Sequence, residues 1–374
     1  MINAIRNKIS KAKRIVIKVG TNVLADENGI ISSYRINNLV KQISYIKENL
    51  KKEIVLVSSG AIGAGMGEIG ISNRPKTLPS LQALASIGQC KLIKTYHDLF
   101  KKKGITIGQV LLTLDDIQDR KRHLNTSNTL MNLLRRGVIP VVNENDTVAV
   151  DEIKFGDNDI MAAMVSIFIR ADLLIILTNV DGFFDMDNKM IMEHVCNIDD
   201  DIKKHIRIDK TPLGVGGMES KLIAVKKILA VGEIAVIANG KKKDSLLKIF
   251  KGEKEGTVFY ADSDKMSGKK RWIAFFPVVA GKIFIDSGAE TALASKNSSL
   301  LPAGITGISG NFKEGSIVSI FATDKKEIGR GLVNYSSCEI DRIKGCQTSS
   351  IKTILGRSDY SEVIHRDNLV VFKQ

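Results

Sequence analysis

Aromatic residues are scarce in this chain: Phe, Trp and Tyr make up 5% of 374 residues, with a single Trp. The core must therefore rest on Ile, Leu, Val and Ala, within a hydrophobic fraction of 44% that suffices for a packed globular interior. Cysteine is scarce too. Cys90, Cys196, Cys338 and Cys346 form no CxxC pair, which argues against a zinc or disulfide framework and leaves reduced, mostly buried thiols as the expectation. His97, His123, His194, His205 and His365 show no metal-spaced pair and no nucleophilic dyad. No apolar run approaches the roughly 18 residues needed to span a bilayer. The basic stretch from Met1 to Lys13 has no continuous apolar segment behind it, so it is not a secretory signal. The expectation is a cytoplasmic protein with no membrane partner.

Charge is abundant and basic, with a net of +14. The excess divides equally, net +7 over residues 1–240 and net +7 over 241–374, so it is denser in the tail without being confined to it. Phosphate-bearing ligands would be drawn to either part. Nucleic acid is not demanded, because the tail lacks dense Lys/Arg clusters interleaved with aromatics. A structural or regulatory tail is favoured over RNA binding.

Over the first 240 residues, near-continuous Val/Ile/Leu runs alternate with helical stretches. Strands are predicted at Ile15–Val19, Ile54–Val57, Ile105–Leu112, Val138–Val142, Leu173–Leu177 and Ile234–Ile237, and helices at Ile36–Leu50, Leu124–Arg136 and Ser220–Val231. Such runs suit parallel strands buried on both faces, and the alternation predicts an α/β sandwich. From about Val279 the texture changes to short β-like runs punctuated by Gly: Lys282–Ile285, Gly304–Gly310, Ser316–Phe321 and Gly331–Tyr335. These predict a small β-barrel or roll.

Polar residues gather where the predicted strands end. Lys18 interrupts an apolar strand just before Gly20, at the sheet edge where open α/β folds bind ligands, and offers a compact charge for phosphate oxygens. Ser58 and Ser59 open a turn of small residues, SSGAIGAG, whose backbone N–H groups suit an anion. The spacing is neither GxGxxG nor GxxxxGK[ST], and a tight strand–helix crossover would need the same small residues. A further strand delivers Asn143, Glu144, Asn145 and Asp146, with Asp157, Asn158 and Asp159 shortly after. Asp157 reads equally as a helix cap, but so many amides and carboxylates exceed what capping needs and suit a small zwitterion. Thr178, Asn179 and the turn Asp181-Gly182 end another strand. A glycine-rich loop then leads into a helix with Lys221 in its first turn, where a cation opposes the helix dipole and so suggests a bound anion.

In order and spacing, IKVGTNVL at 17–24, SSGAIGAG at 58–65, NENDTVAV at 143–150, FGDND at 155–159, LTNVDG at 177–182 and GVGGMESK at 214–221 resemble the glutamate 5-kinases of the amino-acid kinase superfamily. RWIAF at 271–275, GSIVSI at 315–320 and VIHRDNLVV at 363–371 resemble the PUA domain that many of them carry. The resemblance implies a three-layer α/β sandwich with a mainly parallel sheet. It divides the chain into a catalytic domain over 1–262, a linker over 263–279 and a PUA domain with its tail over 280–374. It implies transfer of the ATP γ-phosphoryl group, with Mg²⁺, to the γ-carboxylate of L-glutamate, the first step of proline biosynthesis. Carried over by position, Lys18, Lys221 and Asp159 would be catalytic. Ser59, Gly60, Ala61, Asn145, Asp146, Asp157 and Asn158 would bind glutamate. Lys18, Gly20, Thr178, Asn179, Gly216, Gly217, Met218 and Lys221 would bind the nucleotide. Feedback inhibition by L-proline and a homo-oligomer are implied as well, and direct hand-over of product to a glutamyl-phosphate reductase is left open. The chain departs from the common pattern at Asn179, where relatives often have Asp, and at Val215 and Ser220, where they often have Thr. The carbamate, acetylglutamate and uridylate kinases fit less well, given the pairing of NEND with GDND and the PUA-like tail. An inactive kinase fold fits poorly with intact Lys18, Asp146, Asn158 and Lys221.

Overall fold

The computed structural model describes residues 2–27, 29–148, 157–196, 198, 202, 217–261, 270, 273–274, 279–296, 298–357 and 359–372. The chain divides into two compact units, Met1–Lys265 and Met266–Gln374.

In the first unit, the predicted apolar runs become β1 (Arg14–Val19), β2 (Glu53–Ser58), β3 (Ile107–Leu112), β4 (Ile139–Glu144) and β5 (Leu173–Thr178). The short β6 (Phe184–Asp185) and β7 (Met190–Ile191) form a hairpin, and β8 (His194–Cys196), β9 (Ile234–Asn239) and β10 (Thr257–Tyr260) follow. Among the described residues one eight-stranded sheet has the order β3-β4-β2-β1-β5-β9-β10-β8. The first six run parallel, and β10 turns antiparallel against β9. Every residue of β5 is buried, as expected of a strand covered by helices on both faces. Strand order reverses about β1, and there the carboxyl ends of β1, β2, β4 and β5 open towards one crevice, the usual ligand position in such sheets.

Ile, Leu and Val from the sheet pack against helix Ser33–Asn49 and helix Leu78–Lys101, whose Tyr96 and Phe100 are fully buried. The latter helix crosses helix Ala61–Glu68 at very close range. A Cβ on Gly88 would stand 1.8 Å from the Ala61 carbonyl, so only glycine permits this crossing. Helices are observed at Arg120–Arg135 and Met218–Ala230, close to the predicted bounds.

In the second unit, β11 (Gly281–Ile285), β12 (Ile305–Ser309), β13 (Ile317–Phe321), β14 (Glu327–Leu332) and β15 (Leu369–Val371) form a sheet of order β12-β11-β13-β14-β15. It encloses its own core, built around Ile283, Val318, Ile320 and Tyr335. The run expected at Gly331–Tyr335 is shifted. The strand ends at Leu332, while Val333 and Tyr335 are buried from a loop in which the Asn334 amide bonds to the Val363 carbonyl. The expectation of buried cysteines also fails: all four are free, but Cys90, Cys196 and Cys338 are exposed. Cys90 lies on the outer face of its helix, two residues from the buried Leu92. No helix among the described residues is long and apolar enough to cross a membrane.

Candidate active site

Helix Asp157–Ile169 begins beside the crevice and presents two adjacent side chains in different directions. Asp159 is completely enclosed. Its Oδ1 lies 2.7 Å from Lys18 Nζ, delivered by the end of β1, and its Oδ2 lies 3.2 Å from Lys221 Nζ, in the first turn of helix Met218–Ala230. Ser220 Oγ stands 3.0 Å from the same Oδ2 and 3.0 Å from the Gly217 carbonyl, and Lys221 Nζ also donates to that carbonyl at 3.3 Å. Burial alone would raise the Asp159 carboxyl, but the two ammoniums override it and hold the group below its ordinary value. Lys221 is displaced downward by its burial, against the pull of Asp159. A Cβ at Gly20 would stand 3.5 Å from Lys18 Nζ, so glycine there keeps one flank of the ammonium open. Two cations are thus held at the carboxyl edge of the sheet by one shared carboxylate.

Asn158 faces the other way. Its Nδ2 donates to Ser59 Oγ at 2.8 Å and to Asn143 Oδ1 at 3.2 Å. Ser59 follows β2, and Gly60, at φ +109, turns the chain sharply into helix Ala61–Glu68. No side chain caps that helix, so its first-turn N–H groups lack a side-chain acceptor, while Ala61 itself is buried. The turn is backed by Ser58, which shares a 3.0 Å hydrogen bond with the buried Tyr96 hydroxyl. The Asn145 amide bonds to the Leu112 carbonyl at 2.9 Å, and the Asn145 side chain accepts from Thr147. Asp146, half-buried, has its carboxyl pushed up to about 6 by burial, partly offset by the Arg74 guanidinium.

Beyond β5, the buried Thr178 donates to the exposed Asn179 side chain at 3.3 Å. Asn239, at the end of β9, donates to Asp181 at 2.8 Å, and Lys242 pairs with the same carboxylate at 3.0 Å. Gly217 precedes helix Met218–Ala230, of which Met218 is the first residue. Gly216, the residues around it from 203, those from 149 to 156 and the side chain of Asp157 lie outside the described residues.

Sequence reasoning had assembled Lys18, Asp159 and Lys221, and separately Ser59 and Asn158, and the structure places each set in contact. It had passed over Gln89, Arg74, Asn239 and Lys242. Ser220 had stood out only as a departure, yet it bonds the central carboxylate.

Residues 13–239 match the amino acid kinase family, and residues 281–355 match the PUA domain. The glutamate 5-kinase of Caldanaerobacter subterraneus subsp. tengcongensis is 49% identical over 366 residues, covering 96% of this chain and 98% of the relative. Those of Syntrophus aciditrophicus and Moorella thermoacetica are 43% and 42% identical, covering 100% and 98% of this chain and 98% of each relative. From the match over residues 13–239 and these full-length similarities, the chain belongs to the amino acid kinase family.

Proposed function

We propose that the chain is a glutamate 5-kinase, transferring the γ-phosphoryl group of ATP to the γ-carboxylate of free L-glutamate and forming L-glutamyl 5-phosphate, the first step of proline biosynthesis. The observation that carries this reading is the enclosed Asp159 holding Lys18 and Lys221 beside the amide cluster of Asn158 and Ser59. Full-length similarity to curated glutamate 5-kinases supports the choice of substrate. Phosphoryl transfer asks the protein for positioning and for neutralised charge rather than covalent help. Lys18 and Lys221 supply the charge, and Asp159 pairs with both and fixes their separation. A carboxylate nucleophile is already ionised at neutral pH, so no general base is required.

In this reading Ser59, Gly60 and Ala61 take one end of glutamate through the serine hydroxyl and free N–H groups. Asp146, with Asn145 and Asn158, takes its α-ammonium. Lys18, Gly20, Thr178, Asn179, Gly217, Met218 and Lys221, together with Gly216, hold the nucleotide. Asp157 and Gly216 enter on sequence position alone. Among the described residues no group of three His, Cys, Asp or Glu side chains could hold a metal ion. Mg²⁺ enters here as the companion of the nucleotide phosphates, and no step depends on its placement. The domain limits 1–262, 263–279 and 280–374, the homo-oligomer, inhibition by L-proline and transfer of product to a reductase belong to the same proposal.

The test is ATP turnover with Mg²⁺ across L-glutamate, L-aspartate, N-acetylglutamate, carbamate and UMP, with hydroxylamine trapping acyl phosphates. Hydroxamate from glutamate alone is the expected result. Turnover of another acceptor instead would overturn the substrate.

A further inference from the structure

Behind the Ser59 turn, four side chains from four parts of the fold make one line of hydrogen bonds. Gln89, on helix Leu78–Lys101, accepts through Oε1 from Asn143 Nδ2 at 2.7 Å. Asn143, near the end of β4 and 3% exposed, accepts through Oδ1 from Asn158 Nδ2. That same Nδ2 donates to Ser59 Oγ. An amide has one donating and one accepting end, so each bond dictates how the next amide faces. With Gln89 accepting, Asn143 turns its nitrogen to Gln89 and its oxygen to Asn158. Asn158 then turns its nitrogen to Asn143 and Ser59. Its Oδ1 is left buried, with no hydrogen-bond partner among the described residues. Ser59, which accepts from Asn158, keeps its hydroxyl hydrogen to donate.

A buried acceptor without a donor is costly to keep in a fold, and it points to a ligand that brings one. Reversing every amide in the line would preserve the number of bonds. It would also turn a nitrogen where Asn158 Oδ1 now stands, favouring a carboxylate there. Gln89 stands at the far end of the line, where it accepts from Asn143.

We infer that Gln89 is a positioning residue that sets the polarity of the substrate pocket. Through Asn143 it holds Asn158 Oδ1 as an acceptor for the α-ammonium of the substrate, and it leaves the Ser59 hydroxyl to donate to a carboxylate. This deepens the proposed function and rests on that reading. Gln89 acts at two amides' remove and takes no part in phosphoryl transfer.

Two substitutions separate the arrangements. Gln89→Leu removes both hydrogen-bonding ends. Gln89→Glu, when ionised, can only accept, and so enforces the arrangement described. The full-length wild type and both variants would be assayed by hydroxamate trapping for kcat and for the KM of glutamate and of ATP. Glutarate, which lacks the α-ammonium, would serve as a competitor. Gln89→Leu is expected to raise the glutamate KM about tenfold, the worth of one ordinary hydrogen bond, with kcat and the ATP KM within about twofold. The glutarate inhibition constant should stay within about threefold, because that ligand has no donor for Asn158. Gln89→Glu should keep the glutamate KM within about threefold of wild type.

An unchanged glutamate KM in Gln89→Leu would overturn the inference, as would a parallel weakening of glutarate. Failure of Gln89→Glu alongside Gln89→Leu would also overturn it, since position 89 would then need a donor. Should Gln89→Leu not fold, the ratio of glutamate to glutarate affinity in Gln89→Glu decides the matter: retention supports the relay and loss refutes it. A wild type that makes no hydroxamate from glutamate fails the function and the relay with it. A working wild type with an indifferent Gln89→Leu fails the relay alone.

Discussion

The two halves of the cleft are organised by consecutive residues of one helix and are built from opposite materials. Asp159 gathers an ionic cluster of two ammoniums and a hydroxyl around a fully enclosed carboxylate. Asn158 gathers a neutral network of amides and a hydroxyl. Ionic groups give large forces with little directional demand, which is what a transferring phosphoryl group requires. Amides give small forces with strict direction, which is what separates one small zwitterion from another. If this division holds, substitutions on the ionic side should act on kcat and those on the amide side on the glutamate KM.

The largest effect is expected from Asp159→Asn. It takes from two enclosed ammoniums the carboxylate they share, with Lys18 already working against the protonation of Lys221. Breaking one partner out of a buried ionic set typically removes about 3–5 kcal/mol of stability. A thermal or denaturant melt should show a loss of that order, together with a fall in kcat of at least about 10²-fold. A stable, near-fully active Asp159→Asn would break the comparison at its root. Next comes Lys221→Ala, with a kcat loss of about 10²- to 10³-fold, the usual effect of removing one charge-stabilising donor, and little change in glutamate KM. A shift in glutamate KM as large as that in kcat would merge the two halves. Smaller again is Asn158→Ala, expected to raise the glutamate KM about 10- to 100-fold while sparing the ATP KM.

How much of this could be read beforehand follows the physics of each contact. The ionic half was legible because apolar strands announce their own ends, and Lys18 breaks such a run just before Gly20. Lys221 was legible as a cation in the first turn of a helix, against the dipole. The parallel sheet followed from its Val/Ile/Leu runs, whereas the antiparallel turn of β10 and the short β8 had no comparable signal. In the amide half, Ser59 and Asn158 drew notice through small-residue and Asn/Asp clustering. Gln89 did not, because a polar residue on a long amphipathic helix looks like any solvated position. What distinguishes it is a partner 54 residues away, brought close by the glycine crossing at Gly88. Ser220 shows the same limit from the other direction: its identity was seen, but only the fold reveals that its hydroxyl reaches Asp159.

The finest test of the division uses pH, because the two halves carry aspartates displaced in opposite directions. Burial pushes the Asp146 carboxyl up to about 6, with the nearby Arg74 guanidinium resisting. Asp159 is drawn below its ordinary value once its lysines outweigh its burial. As pH falls from 7.5 to 5, Asp146 takes up a proton and loses the charge that would face the substrate ammonium, while Asp159 stays ionised. At pH 5 a group titrating near 6 is about one-tenth ionised, so the glutamate KM should rise about tenfold, turning upward near pH 6. The glutamate side chain remains mostly ionised there, so the nucleophile is not the cause. The phosphates of ATP titrate in the same window, which makes the ATP KM a poor control; Asp146→Asn is the better one. That variant should start from a raised glutamate KM and show no further rise between pH 7.5 and 5, because its position 146 has no proton to take. A rise of the wild-type size in Asp146→Asn would assign the titration to another group, and with it the ammonium contact.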